Sequence, residues 1–421
     1  MNEEQIRKTI VAQAATAKLA SRKLANLSSD EKNKILTAMA DALIKQKDDI
    51  LFHNEIDVEA AKEAGLTPAL VDRLLLNEQR IKAMSQGLRE VVDQKDPVGE
   101  IIADWTPPAG VHIQKVRVPL GVIGMIYESR PNVTVDATGL CLKAGNAIVL
   151  RGGSEAFNTN HMLVKIIAKS AYSAGLPEGA IQFLETTDRK AIADMVKLDH
   201  LIDLIIPRGG EEMIKFVREN ATVPVLSHGK GLCHTYIDKD ADLDMAKKIA
   251  FNAKCQRPGV CNAMETLLVH KDIAEKFLPQ LCSDYAKAGV EVRGCPLTKK
   301  IIPDVVEATD ADWSTEYLDT ILSIKVVGSI DEALNHISKY GSGHSEAIIT
   351  KNNETGNKFM KEVDAAAVFL NASTRLHDGG VFGLGAEIGI STQKLHARGT
   401  MGAKELTTTK YLVYGNGEIR Q

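Results

Sequence analysis

The stretch GVIGMIYESRPNVTVDATGLCLKAGNAIVLRGGSEA, residues 121–156, decides the fold. It opens with a short apolar run, GVIGMIY, of the kind that makes a strand buried on both faces. Val133 to Lys143 then reads as a helix and AIVLR (147–151) as a second strand. The same rhythm continues outward. A helix spans His161–Ala174, AIQFL (180–184) is a strand and Arg189–Lys197 is a helix. LIDLIIP (201–207) is a fourth strand, and RGGEEM (208–213) opens another helix. Strands alternating with helices at this spacing make a doubly wound parallel sheet.

A second α/β block starts near residue 225. Its strands are HTYID (234–238), TLLVH (266–270), ILSIKVV (321–327), EAIIT (346–350) and AAVFLN (366–371), and its helices cover Leu243–Ala253, Ile273–Ala286 and Ile330–Tyr340. Residues 1–95 are helical in pattern. Ser28 with Glu31 forms a capping box, and Ile35, Leu36, Met39, Leu43 and Ile44 share a helical face. These helices carry no chemistry and are expected to cover a sheet. Two alternating strands, HIQKVRV (112–118) and ELTTTKYLVY (405–414), stand outside the rhythm. The first needs a partner edge, from the far end of the chain or from another subunit.

A chain of 421 residues is too long for one core and implies two or three domains. Apolar residues at 44% and charged residues at 25% are the ordinary globular balance. A net charge of −4 offers no basic surface for nucleic acid. Six irregularly spaced cysteines read as reduced thiols and not as a disulfide framework. The first residues, MNEEQIRKTIV, have no apolar core run of a secretory signal, and no apolar run approaches a membrane span. A cytoplasmic protein is expected.

Chemistry concentrates in FNAKCQRPGVCNA, residues 251–263, which holds Cys255 and Cys261. Cys261 sits on a tight turn just before a strand, where a thiol can meet a substrate, although most cysteines are simply small buried residues. Arg151-Gly152-Gly153-Ser154 and Arg208-Gly209-Gly210 each follow a strand and precede a helix. Glycines there permit close backbone approach to a phosphate, and arginines can clamp one. Neither matches a dinucleotide fingerprint or a P-loop, and either could be a plain tight connection. The cysteines lack zinc-ligand spacing, and His228, His234, His344 and His377 are scattered, so no metal site is expected.

Five blocks in order resemble the aldehyde dehydrogenase superfamily, and within it the γ-glutamyl phosphate reductases (glutamate-5-semialdehyde dehydrogenases). They are residues 118–156, QRPGVCNAMETLLVH (256–270), EYLDTILSIKVV (316–327), GSGHSEAIIT (341–350) and FLNASTRLHDGG (369–380). The resemblance covers almost the whole chain. It implies two doubly wound α/β domains plus a small β flap that mediates homo-oligomers. The nucleotide-binding domain would take residues 1–103 and 120–228, the catalytic domain 229–374, and the flap 104–119 with 404–421. The glycine-rich segment 375–403 would return to the nucleotide-binding domain.

The resemblance also implies roles. Cys261 falls at the nucleophile position, with Cys255 a bystander, and Asn132 at that of the oxyanion donor. Arg151, Gly152, Ser154 and Glu155 fall near the adenine ribose, with Arg151 and Ser154 suited to the 2′-phosphate of NADP(H). Arg208, Gly209 and Gly210 fall near the pyrophosphate, and Glu316 at the nicotinamide ribose. Arg130, Lys230, His344, Ser373 and Arg375 are candidates for holding the two anionic groups of L-glutamyl 5-phosphate. One departure is informative. Aldehyde-oxidising relatives carry a water-activating glutamate where this chain reads LSHGKG (226–231), with no carboxylate. The expected reaction is therefore NADPH-dependent reduction of L-glutamyl 5-phosphate to L-glutamate 5-semialdehyde through a cysteine thioester, the second step of proline biosynthesis from glutamate. The partner enzyme would be glutamate 5-kinase, in a transient complex. A general aldehyde dehydrogenase, a thiol hydrolase or acyltransferase without nicotinamide, and a non-catalytic binding relative are the alternatives.

Overall fold

The computed structural model describes residues 3–227 and 229–420, so His228 lies outside the described residues. Two compact units emerge. One is Met1–Ser227 with Leu384–Gly389 and Met401–Gln421; the other is His228–Gly383 with Ile390–Thr400. The glycine-rich segment is thus divided between them and does not return as one piece.

The first unit begins with α1 (Glu3–Leu24), α2 (Ser29–Lys45), α3 (Lys47–Glu63), α4 (Pro68–Leu74) and α5 (Glu78–Asp93). There follow β1 (Ile101–Trp105), β2 (His112–Pro119), β3 (Val122–Tyr127), α6 (Asn132–Lys143), β4 (Ala147–Gly152), α7 (Phe157–Ser173), β5 (Ile181–Phe183), α8 (Lys190–Met195), β6 (Leu204–Arg208) and α9 (Glu211–Asn220). Four strands form a parallel sheet in the order β5-β4-β3-β6. Every residue of β3 and β4 is buried, as parallel strands covered on both faces must be. Helix α1 supplies part of that cover. Ile6, Ile10, Ala14 and Ala17 are buried, the Gln13 amide donates to the Phe183 carbonyl at 2.9 Å, and Lys18 meets Asp203 at 2.7 Å. The capping box of α2 is formed: Glu31 N–H donates to Ser28 Oγ at 3.3 Å and Ser28 N–H to the Glu31 carboxylate at 2.8 Å. Ile35, Leu36, Met39 and Leu43 are buried, whereas Ile44 sits past the edge of the stripe and is 39% exposed.

The two alternating strands find each other. β2 pairs antiparallel with the C-terminal strand Thr407–Tyr414 on one side and with β1 on the other. The partner edge therefore comes from the far end of the chain. β1 starts at Ile101 in a segment, IIADW, too short to read as a strand.

The second unit holds β7 (Cys233–Ile237), α10 (Leu243–Cys255), β8 (Met264–His270), α11 (Lys271–Lys287), β9 (Glu291–Gly294), α12 (Pro296–Ile301), β10 (Val306–Glu307), β11 (Ile321–Val327), α13 (Ile330–Tyr340), β12 (Ser345–Ile349), α14 (Asn353–Glu362) and β13 (Ala367–Leu370). Its seven strands are parallel, in the order β10-β9-β11-β8-β7-β12-β13. Ala250 and Ala253 of α10 and Phe277, Leu278 and Leu281 of α11 close over Met264, Leu267 and Leu322 in one apolar core. Both observed units are α/β with wholly parallel main sheets.

Candidate active site

Cys261 stands in the second unit, on the turn between the end of α10 and the start of β8. This is the amino-terminal edge of the sheet, opposite to where open α/β sheets usually bind ligands. The turn is held by neighbours on both flanks. Asn262 Nδ2 donates to the His377 carbonyl at 3.0 Å, and Thr374 Oγ1 donates to the Asn262 carbonyl at 2.8 Å. The Arg375 guanidinium donates to Asn262 Oδ1, and to Gln256 Oε1 at 2.8 and 3.0 Å. The turn also rests on Gly231. A methyl group there would stand 2.5 Å from the Cys261 Cα and 2.6 Å from its Cβ, so only glycine fits. The Gly231 N–H donates to Glu316 Oε1 at 2.9 Å, which brings a carboxylate to the edge of the 226–231 segment from elsewhere in the chain.

A reactive thiolate at Cys261 would need positive charge nearby. Helix α10 cannot supply it, because its C-terminal end faces this turn and carries partial negative charge. Arg375 can. Its half-buried guanidinium has its pKa lowered by burial and by the neighbouring Arg257, while interaction with Cys261 acts in the opposite direction. Lys254 and Glu265 form a fully buried ion pair at 2.7 Å that joins the two ends of the thiol-bearing loop. Glu265 Oε1 also accepts from the N–H of Leu318, a residue in the left-handed region at φ 52°. One carboxylate thus ties the Cys261 loop to the segment that carries Glu316. Burial pushes Glu265 up to about 7 against the pull of Lys254.

Two histidines read as scattered converge here. Ser345 Oγ lies 2.8 Å from His344 Nδ1 and 2.8 Å from His377 Nδ1. Burial pulls His377 down to about 4, so it is neutral at physiological pH. Cys233 Sγ lies 3.6 Å from His344 Nδ1 and donates to the Cys261 carbonyl at 3.2 Å. His234 points elsewhere, 3.0 Å from Glu346. Of the anion-holding candidates, Arg375 and His344 are gathered around the thiol turn. Ser373 is buried, and its Oγ accepts the Arg375 N–H at 3.3 Å. Lys230 is exposed beside Gly231. Cys255 ends α10, packs against the apolar core, and has its pKa raised by burial.

Asn132, in the first unit, is the exposed first residue of α6. Its Nδ2 donates one hydrogen to Asp136 Oδ2 at 2.8 Å, leaving the second for an incoming oxygen. Burial pushes the Asp136 carboxyl up to about 6. Arg130 is exposed on the loop before this helix.

The carboxyl ends of β3, β4 and β6 present the remaining expected residues. Chain order reverses between β3 and β6, the position where such sheets hold dinucleotides. Arg151 is 5% exposed, gives Nη2 to the carbonyls of Thr187 and Asp188 at 3.0 and 3.3 Å, and has a buried Nε with no hydrogen-bond partner. Ser154 is exposed at the start of a short 3-10 turn. Glu155 accepts from Ser129 N–H and Oγ at 2.5 and 2.9 Å, and the Gly210 N–H at the start of α9 donates to Glu128 at 2.8 Å. A Cβ on Gly152 would be 3.3 Å from Tyr127, and one on Gly209 would be 2.8 Å from the Glu128 carboxyl carbon. Arg208 lies against the backbone of Gly389. The strand-order reversal, the glycines and the unpartnered Arg151 Nε fit a dinucleotide. Glu128 occupies the amide that an anion would otherwise take.

The aldehyde dehydrogenase family model matches residues 2–296. The chain belongs to the aldehyde dehydrogenase family. A γ-glutamyl phosphate reductase of Caldanaerobacter subterraneus subsp. tengcongensis is 60% identical over 408 residues, 97% of this chain and 99% of that one. Another, of Halothermothrix orenii, is 56% identical over 99% of this chain and 100% of its own length. The crystal structure of γ-glutamyl phosphate reductase from Thermotoga maritima matches with a TM-score of 0.96 at 51% identity, covering 98% of this chain and all of that one. As in the aldehyde dehydrogenase family at large, the cofactor is a nicotinamide nucleotide. Sequence reasoning missed Gly231, Gln256, Asn262 and Asp136. Only Asp136 had a signal, its i, i+4 spacing from Asn132 on one helix.

Proposed function

We infer that the chain reduces L-glutamyl 5-phosphate to L-glutamate 5-semialdehyde and phosphate, as the γ-glutamyl phosphate reductase step of proline biosynthesis. The observation that carries this is 56–60% identity to enzymes of that name over nearly the whole chain. The residue roles follow as proposals. Cys261, with Arg375 and Arg257 stabilising its thiolate, attacks the acyl carbon and holds the glutamyl group as a thioester while phosphate departs. Asn132 donates its second amide hydrogen to the developing oxyanion. NADPH, when bound, supplies the hydride. Cys261 then leaves as the thiohemiacetal collapses to the aldehyde, and takes up its proton again. Arg151 and Ser154 select the 2′-phosphate, Gly152, Glu155, Arg208, Gly209 and Gly210 surround the rest of the nucleotide, and Glu316 holds the nicotinamide ribose. Lys230, His344, Ser373, Arg375 and Arg130 share the substrate's phosphate and α-carboxylate.

No carboxylate within 226–231 is available to activate water, which favours exchange with phosphate over hydrolysis. The exposed Trp105, Tyr411, Val413 and Tyr414 of the three-stranded sheet suit a homo-oligomeric contact. A transient complex with glutamate 5-kinase would shorten the exposure of a hydrolysable acyl phosphate. Cytoplasmic residence agrees with six cysteines outside any disulfide. Among the described residues no helix is long and apolar enough to cross a membrane. The test is a coupled assay in which a glutamate-phosphorylating kinase supplies the acyl phosphate. NADPH should disappear in step with phosphate release that depends on this chain, and NADH should serve poorly. Chain-dependent phosphate release without NADPH oxidation would make it a hydrolase.

A further inference from the structure

Cys233 has no role in the reduction, yet it is the thiol placed against the Cys261 turn. Its Sγ donates to the Cys261 carbonyl oxygen at 3.2 Å. Two residues earlier, Gly231 faces the same turn, with its missing side chain directed at the Cys261 Cβ. Cys261 is therefore applied to the 231–233 backbone, and the two cysteines are bonded neighbours through one hydrogen bond. Cys261 sits in turn backbone outside any helix or strand, so a swing of its side chain breaks no ladder. The other cysteines are differently placed. Cys255 faces the α10–α11 core, and Cys141, Cys282 and Cys295, buried as Cys233 is, lie on α6, on α11 and just before α12.

We propose that Cys233 is a resolving thiol, which captures Cys261 as a disulfide when a hydroperoxide oxidises the nucleophile. The idea rests on Cys261 being the reactive thiolate of the proposed function. The Cys261 thiolate attacks the terminal oxygen of the hydroperoxide; the O–O bond breaks, alcohol or water leaves after taking a proton, and Cys261 becomes a sulfenic acid. The Cys233 sulfur then attacks the Cys261 sulfur. The S–S bond forms, the S–O bond breaks, and hydroxide departs as water with the Cys233 proton. Each disulfide thus accounts for one hydroperoxide reduced and two thiols oxidised. His344 Nδ1, 3.6 Å from Cys233 Sγ, is placed to relay that proton. The relay matters because burial, with Glu346 and Cys261 adding to it, raises the Cys233 thiol well above its ordinary pKa. An unrelayed Cys233 would stay protonated and react slowly. The disulfide keeps Cys261 from the sulfinic state, which ordinary dithiols do not reverse.

The experiment treats the purified full chain with hydrogen peroxide, then with dithiothreitol, and reads both activity and peptide maps. The wild type should lose activity, yield a peptide pair joined through Cys233 and Cys261, and regain its starting activity on reduction. Cys233→Ser should keep basal activity, but peroxide should carry Cys261 to sulfinic acid, and dithiothreitol should restore nothing. Cys255→Ser should behave as wild type. Should Cys233→Ser fold poorly, Cys233→Ala and the wild-type map decide. Oxidation of Cys261 to sulfinic acid in the wild type without a joined peptide overturns the resolving role while leaving the nucleophile intact. A link from Cys261 to Cys255 also overturns it. Activity unaffected by peroxide with Cys261 unmodified overturns both readings.

Discussion

Gly231→Ala is the sharpest probe of the thiol turn. The added methyl would stand 2.5 Å from the Cα and 2.6 Å from the Cβ of Cys261. Ordinary carbon–carbon contact begins near 3.5 Å, so backbone must give by about 1 Å. The neighbour is main chain and cannot rotate aside. Asn262, Thr374 and Arg375 hold the turn from the other side, so the displacement falls on Cys261 itself. A misplacement of about 1 Å at a reacting atom costs about a hundredfold in rate. That corresponds to about 2.7 kcal/mol of activation free energy. Overpacking should also cost about 1–3 kcal/mol of stability. The assay is steady-state NADPH oxidation with the kinase-coupled substrate, accompanied by NADPH binding measured by fluorescence. The expected result is a loss of about a hundredfold in kcat/KM with cofactor affinity unchanged. A Gly231→Ala enzyme within twofold of wild type would refute the close packing of Gly231 on Cys261 as the proposed nucleophile.

Other perturbations follow from the same geometry. Removing one partner of the buried Lys254–Glu265 pair, as in Lys254→Met, should destabilise by about 3–5 kcal/mol in urea unfolding, because it strands a charge inside. Asn132→Ala should lower kcat by about 10²–10³, the usual loss for one oxyanion donor, with little change in KM. Asp136→Ala should cost less, since it frees the Asn132 amide without deleting it. His336 is buried against Trp313, Tyr340, His234 and Lys325, and burial pulls it down to about 3. The unfolded chain binds a proton there below about 6.5 that the fold refuses, so this group's contribution is lost as pH falls from about 6.5 toward 3. Urea titrations between those limits should show His336→Gln with a slope shallower by about 1.4 kcal/mol per pH unit than wild type. An equal slope would mean that His336 is not buried neutral.

The strand and helix order was legible because most of the parallel strands, such as β3, β4, β8 and β11, are short apolar runs separated by helical periods. β11 (Ile321–Val327) and α13 (Ile330–Tyr340) match their sequence reading residue for residue. β9 and β10 were invisible. The two-residue Val306–Glu307 at the sheet edge and EVRG beside it are too short and too polar to show a period. At the site, Cys261 was legible as a thiol between Gly259 and a strand, and the ordered family blocks separated it from Cys255. What surrounds it was not. Gly231, Arg375 and His377 come to the turn from 30 or more residues away along the chain, and periodicity carries no information about such contacts. Glu265 drew no reading from the sequence, and only its burial against Lys254 gives it meaning.

The most direct test of a Cys261 thioester that phosphate resolves is the reverse reaction, run with glutamate 5-semialdehyde and NADP⁺ under rapid mixing. Without phosphate, the enzyme should release one burst of NADPH no larger than its content of Cys261. Adding phosphate should start continuous turnover, and Cys261→Ala should give neither. Continuous NADPH formation in the absence of phosphate, or turnover surviving in Cys261→Ala, would contradict the account.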